Sequence, residues 1–194
     1  MSAIPKTEPY LTPEEYLVRE RAAEFKSEYF NGYVVAMAGA KHAHNRLAGN
    51  FSGLLYRQLR GRPCEALGSD MKVRVEKANL FRYPDLSALC GPIDFYDEAQ
   101  DAYCNPALIV EVLSPGTENY DRTDKFALYR LIESLSEYVL VAQDRVEVEV
   151  HRKQPDGRWG ATVFTELSDS ARLESVGCEL SLAELYEKVE FPKS

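Results

Sequence analysis

ALIVEVL, at residues 107–113, is apolar on both faces except for one carboxylate, Glu111, near its centre. A short apolar run of this kind predicts a strand in the middle of a sheet. An ionised side chain without a partner is costly in such an interior, by several kcal/mol even after relaxation. Glu111 must therefore meet a cation or a metal ion, reach solvent, or carry a proton.

The residues that follow this strand supply a candidate partner for Glu111. The SPG motif at 114–116 ends the strand, and residues 119–133 are predicted to form a helix. Lys125 lies in the first turns of that helix, which makes it the cation to test against Glu111. A simpler interpretation also stands. Asp121 and Lys125 are four residues apart on a helix, so they can form a surface salt bridge that contributes a few tenths of a kcal/mol.

The composition limits the class of protein. With 194 residues, 45% of them hydrophobic, the chain can bury one substantial core, and we expect a single α/β domain over residues 1–194. A net charge of −8 opposes nonspecific binding of polyanions, so any contact with nucleic acid must rely on local cations. No run approaches the ~20 apolar residues of a membrane span, and the N-terminus has no apolar signal segment. We therefore expect a cytoplasmic protein without membrane contact.

The four cysteines form no recognisable metal or redox motif. Cys64, Cys90, Cys104 and Cys178 are widely separated, and no two of them make a C-x-x-C pair. The sequence therefore predicts free thiols rather than a zinc site or a redox pair.

The N-terminal part predicts a helix, a hairpin and a second helix. TPEE at 12–15 is a helix start with a capping box. Two β-prone runs joined by Asn31-Gly32 predict a hairpin whose first arm carries Glu28, either as a solvated edge charge or as a functional carboxylate. Apolar residues at helical spacing predict a long amphipathic helix over residues 42–60. His44 shares its inward face, as a hydrogen-bonded core residue or as a functional one.

Two strands are predicted in the middle of the chain. Strict alternation over residues 71–76 indicates a half-buried strand with charged side chains facing outward. These side chains are Lys72, Arg74 and Glu76. Residues 80–90 predict a further strand in which Pro84 allows only an edge position or a strand start. Asp85 follows this proline, where it can be a turn residue or a site residue. Residues 91–105 are predicted to be a surface loop.

The C-terminal part is predicted to add a strand, a hairpin and a last short helix. The strand covers residues 137–141, the hairpin joins residues 146–151 to 159–164, and Ser181 caps the helix. The complete order of elements predicts a mixed sheet flanked by helices.

Asp85 and Glu111 fall on consecutive predicted strands. If these strands are neighbours, both carboxylates meet at one end of the sheet and can bind a hard divalent cation such as Mg²⁺ or Mn²⁺ through oxygen ligands and water. Such a cation removes the cost of burying Glu111, activates water and stabilises charge on a phosphoryl oxygen. Lys125 could then orient the nucleophile or neutralise the developing negative charge.

Several motifs taken together resemble the Uma-type endonuclease family, formerly a domain of unknown function. They are Pro84-Asp85, EVLSP at 111–115, Asp121, Lys125, Glu28 before Asn31-Gly32, and EYVLV at 137–141. The family is similar to the restriction-endonuclease-like superfamily, whose signature is PD-(D/E)xK. The resemblance spans about residues 11 to 185. It implies an α/β fold with a restriction-endonuclease-like mixed β-sheet flanked by helices, including an N-terminal helix and a β-hairpin. It also implies a metal-dependent endonuclease that hydrolyses DNA.

The resemblance assigns roles to individual residues. It makes Asp85 and Glu111 metal ligands, with the backbone carbonyl of Val112 as a further ligand. It also puts Glu28 and His44 near the site as candidate catalytic residues.

Two positions depart from the family pattern. The orthodox motif has a lysine two residues after Glu111, where this chain has Leu113. The resemblance implies that Lys125, on the following helix, takes over the catalytic role as a migrated lysine. Val139 stands where many members have tryptophan, which concerns packing rather than chemistry.

A second hypothesis is a catalytically inactive nuclease-fold module for DNA or protein interaction, in which Glu111 pairs only with Lys125. The acidic net charge favours this module. The presence of Asp85, Glu111 and Lys125 together favours the enzyme, because an inert scaffold does not need a carboxylate in its central strand. In the enzyme, basic side chains would bind DNA phosphates. The candidates are Arg57, Arg60, Arg62, Lys72 and Arg74. A homodimer is also expected, since many relatives of this fold cut two strands by symmetry.

Overall fold

A computed structural model describes residues 10–191 of the chain. The helices are α1 (Pro13–Ala22), α2 (His42–Leu59), α3 (Glu118–Tyr120), α4 (Phe126–Tyr129) and α5 (Leu182–Leu185), with a π-helical turn over Asp121–Lys125 between α3 and α4. The strands are β1 (Ser27–Phe30), β2 (Tyr33–Ala36), β3 (Cys64–Gly68), β4 (Lys72–Val75), β5 (Leu80–Arg82), β6 (Leu86–Cys90), β7 (Ala102–Tyr103), β8 (Leu108–Leu113), β9 (Glu137–Ala142), β10 (Val148–Lys153), β11 (Trp159–Phe164), β12 (Ser170–Leu173) and β13 (Cys178–Ser181).

The first elements form for the local reasons that their sequences indicate. The Thr12 side chain accepts a hydrogen bond from the Glu15 N–H, and the Glu15 carboxylate accepts one from the Thr12 N–H, which completes the capping box of α1. Asn31 and Gly32 both have positive φ and make the two-residue turn between β1 and β2. The predicted helix, the hairpin and the long helix α2 are therefore confirmed.

Strand β8 lies inside a six-stranded sheet, here called the central sheet. The strand order is β11-β10-β9-β8-β6-β3, and β8 pairs in parallel with β9 and in antiparallel with β6. All six residues of β8 are buried. The prediction that residues 107–113 form a middle strand is confirmed, and Glu111 is buried within it.

A second sheet of five strands, here called the N-terminal sheet, has the order β2-β1-β5-β4-β7. One of its faces packs on α1 through an aromatic cluster that includes Tyr16, Tyr29 and Phe81. Between its other face and the central sheet lies an apolar layer, to which the segment from α4 to Leu135 also contributes. Helix α2, α5 and the β12-β13 hairpin cover the opposite face of the central sheet.

Strand β4 corrects the predicted half-buried strand. Lys72 and Arg74 are only 3% and 8% exposed, so the strand is buried on both faces. The Lys72 ammonium lies 2.9 Å from Asp101, and the Arg74 guanidinium packs over Phe81. Long aliphatic stems let both side chains remain buried while their charged ends find partners.

Residues 80–90 also differ from their prediction, because they form two strands instead of one. Strand β5 belongs to the N-terminal sheet and β6 to the central sheet. Pro84 cannot donate a backbone hydrogen bond and favours an extended residue before it, so the strand is interrupted at this point. Residues 83–85 thus connect the two sheets, and Asp85 stands at the junction.

Two further predictions are wrong. Residues 91–105 include the buried strand β7, which pairs with β4. Cys64 and Cys90 are opposite residues of β3 and β6 and form a disulfide, whereas Cys104 and Cys178 are free. The pairing depends on β3, which the sequence pattern did not predict. Among residues 10–191, no helix has the length and apolarity needed to cross a membrane.

Candidate active site

Asp85 and Glu111 lie beside each other at one end of two neighbouring strands. Leu86 of β6 is opposite Val110 of β8 in an antiparallel pair. The next residues along the two strands, Asp85 and Glu111, are therefore opposite each other. Opposite residues of an antiparallel pair have Cβ atoms about 5 Å apart. One Asp85 oxygen accepts a hydrogen bond of 2.7 Å from the Val112 N–H. The predicted neighbourhood of the two carboxylates is confirmed, while the carbonyl of Val112 as a metal ligand stays a prediction.

Lys125 reaches Glu111 from the π-helical turn. Its ammonium nitrogen lies 2.8 Å from Glu111 Oε1 and 3.2 Å from Asp121 Oδ1. Tyr129 donates a further hydrogen bond of 3.2 Å to Glu111 Oε1. The side chains of Glu111 and Asp121 are each 5% exposed, so the Asp121–Lys125 pair is not the ordinary surface salt bridge that the spacing alone suggested.

The electrostatics of this cluster are dominated by burial. Burial raises the pKa of Glu111, the negative charges of Asp85 and Asp121 raise it further, and Lys125 opposes the change without cancelling it. Burial alone would lower the pKa of Lys125, but Glu111, Asp121 and Glu28 outweigh it, so that pKa is raised. The lysine is thus held as a cation among more carboxylates than it can neutralise.

His44 approaches the cluster from the first turn of α2. Its Nε2 lies 3.1 Å from Asp85 Oδ2, and its side chain is 16% exposed. Its Nδ1 is buried and has no hydrogen-bond partner within residues 10–191. The inward orientation predicted from Leu47 and Phe51 is therefore correct, and the contact connects α2 to the strand-end carboxylate.

Glu28 lies on the other side of the cluster, on β1. Its carboxylate forms an ion pair with Arg82, so it is not a solvated edge charge. Arg82 in turn donates a hydrogen bond of 2.6 Å to the Tyr120 hydroxyl. The negative charge of Glu28 also contributes to the raised pKa of Lys125.

The sequence prediction missed Arg82 and Tyr120. Arg82 is buried, at 9% exposed, and it ends β5 three positions before Asp85. A basic residue two positions before Pro84 was the available signal. Its meaning depends on the crossing between the two sheets, which the sequence pattern did not show.

Most of the predicted phosphate-binding cations have other partners. Lys72 and Arg74 are buried in the N-terminal sheet, as described above. Arg57 pairs with Glu184, and Arg62 donates to the carbonyls of Val176 and Gly177. These last two arginines hold α2 and the residues beyond it against the C-terminal segment.

A divalent cation fits the donor chemistry of the cluster, but side chains alone do not complete a metal site. No group of three His, Cys, Asp or Glu residues that could hold a metal ion is found in the described part of the chain. Asp85 and Glu111 offer carboxylate oxygens, the ligands that Mg²⁺ prefers, and Mg²⁺ commonly takes only one or two protein carboxylates along with water and substrate phosphates. The surplus of negative charge around Lys125 also suits a cation.

Comparisons with known proteins agree with the fold just described. A family model named Uma2 and described as "Putative restriction endonuclease" matches residues 13–183. Two Synechocystis sp. proteins, the uncharacterized proteins slr1290 and sll1609, are also similar. The first is 37% identical over 183 residues, covering 94% of this chain and 95% of that protein. The second is 39% identical over 165 residues, covering 84% and 92%.

A solved structure has the same fold. It is a crystal structure from Anabaena variabilis, described as "a putative nuclease belonging to DUF820", and it aligns with a TM-score of 0.74 at 19% identity. The alignment covers 93% of this chain and 99% of that one. The predicted mixed α/β nuclease-like fold is thereby confirmed.

Proposed function

Because the chain belongs to the Uma2 family, we propose that it is a metal-dependent endonuclease that hydrolyses phosphodiester bonds in DNA. The family and the solved neighbour support a nuclease-like function. The observation that carries the proposal is the Lys125 ammonium, which lies 2.8 Å from Glu111, while Asp85 is the neighbour of Glu111 across the β6-β8 pair at the junction of two sheets. Two adjacent carboxylates can hold a divalent cation, and a lysine beside one of them can stabilise the negative charge that develops on the phosphoryl group.

Asp85 and Glu111 would hold the cation, with the Val112 carbonyl as a third protein ligand. The bound cation would activate a water molecule and stabilise charge on a phosphoryl oxygen. Lys125 keeps its positive charge and offers N–H donors that orient the attacking water or neutralise negative charge as it develops.

The remaining side chains hold these groups in position. Tyr129 fixes the Glu111 carboxylate by a hydrogen bond, and the Val112 N–H and His44 fix Asp85. Arg82, held by Glu28 and Tyr120, places a second cation at the edge of the cluster. Its planar guanidinium suits a phosphate oxygen. DNA is the proposed substrate, and cleavage of both strands by symmetry would require a homodimer.

The test is cleavage of supercoiled plasmid with Mg²⁺ or Mn²⁺. We expect nicked or linear product from the wild-type protein, and loss of activity in Asp85→Ala and Glu111→Ala because each removes a proposed ligand. Asp124→Ala is the matched control, since Asp124 is an exposed carboxylate next to Lys125. Equal cleavage by all of these proteins would reject the site. Absence of cleavage with any divalent cation would favour the noncatalytic module for DNA or protein interaction.

A further inference from the structure

An exposed apolar stripe runs along β2 and the residue after it. Tyr33, Val35 and Met37 are 39%, 40% and 36% exposed. They are two residues apart in an extended segment, so their side chains share one face of the N-terminal sheet. The intervening Val34 points the other way and packs against the aromatic cluster under α1.

The stripe continues the wall of the candidate active site. Val35 is directly opposite Glu28 in the β1-β2 pair, so both side chains lie on the same face of the sheet. Glu28 binds Arg82, and Arg82 binds Tyr120 of α3. A strand of nucleic acid held at Asp85 and Glu111 that extends past Glu28 would therefore run along Val35 and its two neighbours.

The distribution of charge favours bases over a duplex backbone as the occupant of this stripe. A duplex is bound mainly through its phosphates, which requires available cations. Here the net charge is −8, and four of the five predicted phosphate-binding cations have partners within the protein. These four are Lys72, Arg74, Arg57 and Arg62, whereas Arg60 is exposed. An aromatic side chain such as Tyr33 binds unpaired bases by stacking, in a way that tolerates any sequence, and the apolar side chains of Val35 and Met37 can pack against the same bases.

We propose that the Tyr33–Val35–Met37 stripe binds the unpaired bases of the cleaved strand, so that the substrate class is single-stranded or locally unpaired DNA. This inference rests on the proposed nuclease function. A second copy of the chain is the competing occupant. It would have to sit over the face that also carries Glu28, and it would cover the site that the substrate must enter.

The test measures binding separately from cleavage. A fluorescent single-stranded oligonucleotide, the same strand in a perfect duplex, and a duplex with a central unpaired bubble are titrated with the full chain in EDTA, and fluorescence anisotropy is recorded. We expect the single strand and the bubble to bind more tightly than the perfect duplex. Tyr33→Ala should weaken binding of the single strand roughly tenfold, because one stacking platform is lost.

Three further variants make the result specific. Tyr33→Phe keeps the ring and should bind like the wild-type protein. Met37→Ser should weaken binding without removing an aromatic ring, which provides a second measurement if Tyr33→Ala does not fold. Tyr56→Ala is the matched control, because Tyr56 is a 70% exposed tyrosine on α2. It should leave binding unchanged.

Several outcomes would overturn the inference. They are equal or tighter binding of the perfect duplex, unchanged single-strand binding by Tyr33→Ala and Met37→Ser, or a change of oligomeric state by light scattering without a change in DNA binding. Failure of plasmid cleavage with single-strand binding that still depends on Tyr33 would reject the nuclease and keep the binding surface. Metal-dependent cleavage that does not depend on Tyr33 would support the nuclease and reject the binding surface.

Discussion

Two lysine–carboxylate pairs in this protein have nearly the same distance between nitrogen and oxygen, but the pKa of the carboxyl group is raised in one and lowered in the other. Lys125 lies 2.8 Å from Glu111, and Lys72 lies 2.9 Å from Asp101. Burial raises the pKa of Glu111 in spite of its lysine. Asp101 instead accepts two hydrogen bonds from Arg21, which lower its pKa to about 2, with Lys72 adding to the effect.

The difference shows that distance alone does not identify a functional ion pair. Asp101 is half-exposed and has two cations for one carboxylate, with Asp97 sharing the Arg21 guanidinium. The pair at Glu111 has one cation for several carboxylates and little access to water. A saturated pair holds elements together, whereas an unsaturated one retains an affinity for an additional cation.

The largest expected effect comes from removing each lysine in turn. Lys125→Met should reduce the rate of plasmid cleavage by at least about a hundredfold, because a positioned charge in the site is lost. Lys72→Met removes the corresponding cation from the saturated pair and should leave the cleavage rate unchanged while lowering the melting temperature. Initial rates and thermal melts of both variants check this. If Lys125→Met and Lys72→Met lose cleavage activity equally, the two ion pairs do not differ in function as proposed.

A smaller effect is expected on stability when the saturated pair is broken. The pKa of Asp101 is about 2 in the folded protein and about 4 in the unfolded chain, so its contribution is present above pH 4 and is lost as the pH falls towards 2. Asp101→Asn should lower the free energy of unfolding at pH 7 by about 1 kcal/mol, after allowance for solvent screening. Urea unfolding from pH 7 downwards should show this difference shrinking below pH 4. If the difference in free energy of unfolding between the wild-type protein and Asp101→Asn grows as the pH falls, the expected direction of the pH dependence is wrong.

The smallest effect concerns the hydroxyl that holds Glu111. Tyr129→Phe removes one hydrogen bond of 3.2 Å and keeps the ring in the core. Such a bond contributes about 0.5–1.5 kcal/mol, so we expect the cleavage rate to fall by roughly threefold to tenfold. Tyr103→Phe is a suitable control, because the Tyr103 ring is buried in the same apolar layer and its hydroxyl has no hydrogen-bond partner within residues 10–191. A larger loss in the control would show that general packing, rather than the bond to Glu111, determines the rate.

The parts of the site that depend on one strand or one turn could be predicted from the sequence. Glu111 is conspicuous because it interrupts an apolar run, Asp85 because it follows a proline, and Lys125 because it lies in the first turns of the next predicted helix. Their proximity follows from the pairing of β6 with β8. In this case consecutive predicted strands became neighbours in the sheet.

The parts that depend on the meeting of two sheets could not be predicted. Arg82 and Asp85 are three residues apart yet belong to different sheets, so the contact of Arg82 with Tyr120 follows from tertiary packing. Alternation placed Lys72 and Arg74 on a solvated face because it reports the direction of a side chain and not what covers it. The Cys64–Cys90 bond was missed for a related reason, since it joins two strands whose register is set by the whole sheet.

The π-helical turn at Asp121–Lys125 restricts how the length of this helix can vary. A π turn holds one residue more than the α-helical turn it replaces, and each residue of an α-helix advances by about 100°. Lys125 must face Glu111 while Phe126 and Tyr129 pack into the apolar layer. Deletion of one residue, even the exposed Thr123, would turn either the lysine or the aromatic side chains away from their partners. The segment from 118 to 129 should therefore accept substitutions at its exposed positions far more readily than a change in the number of its residues.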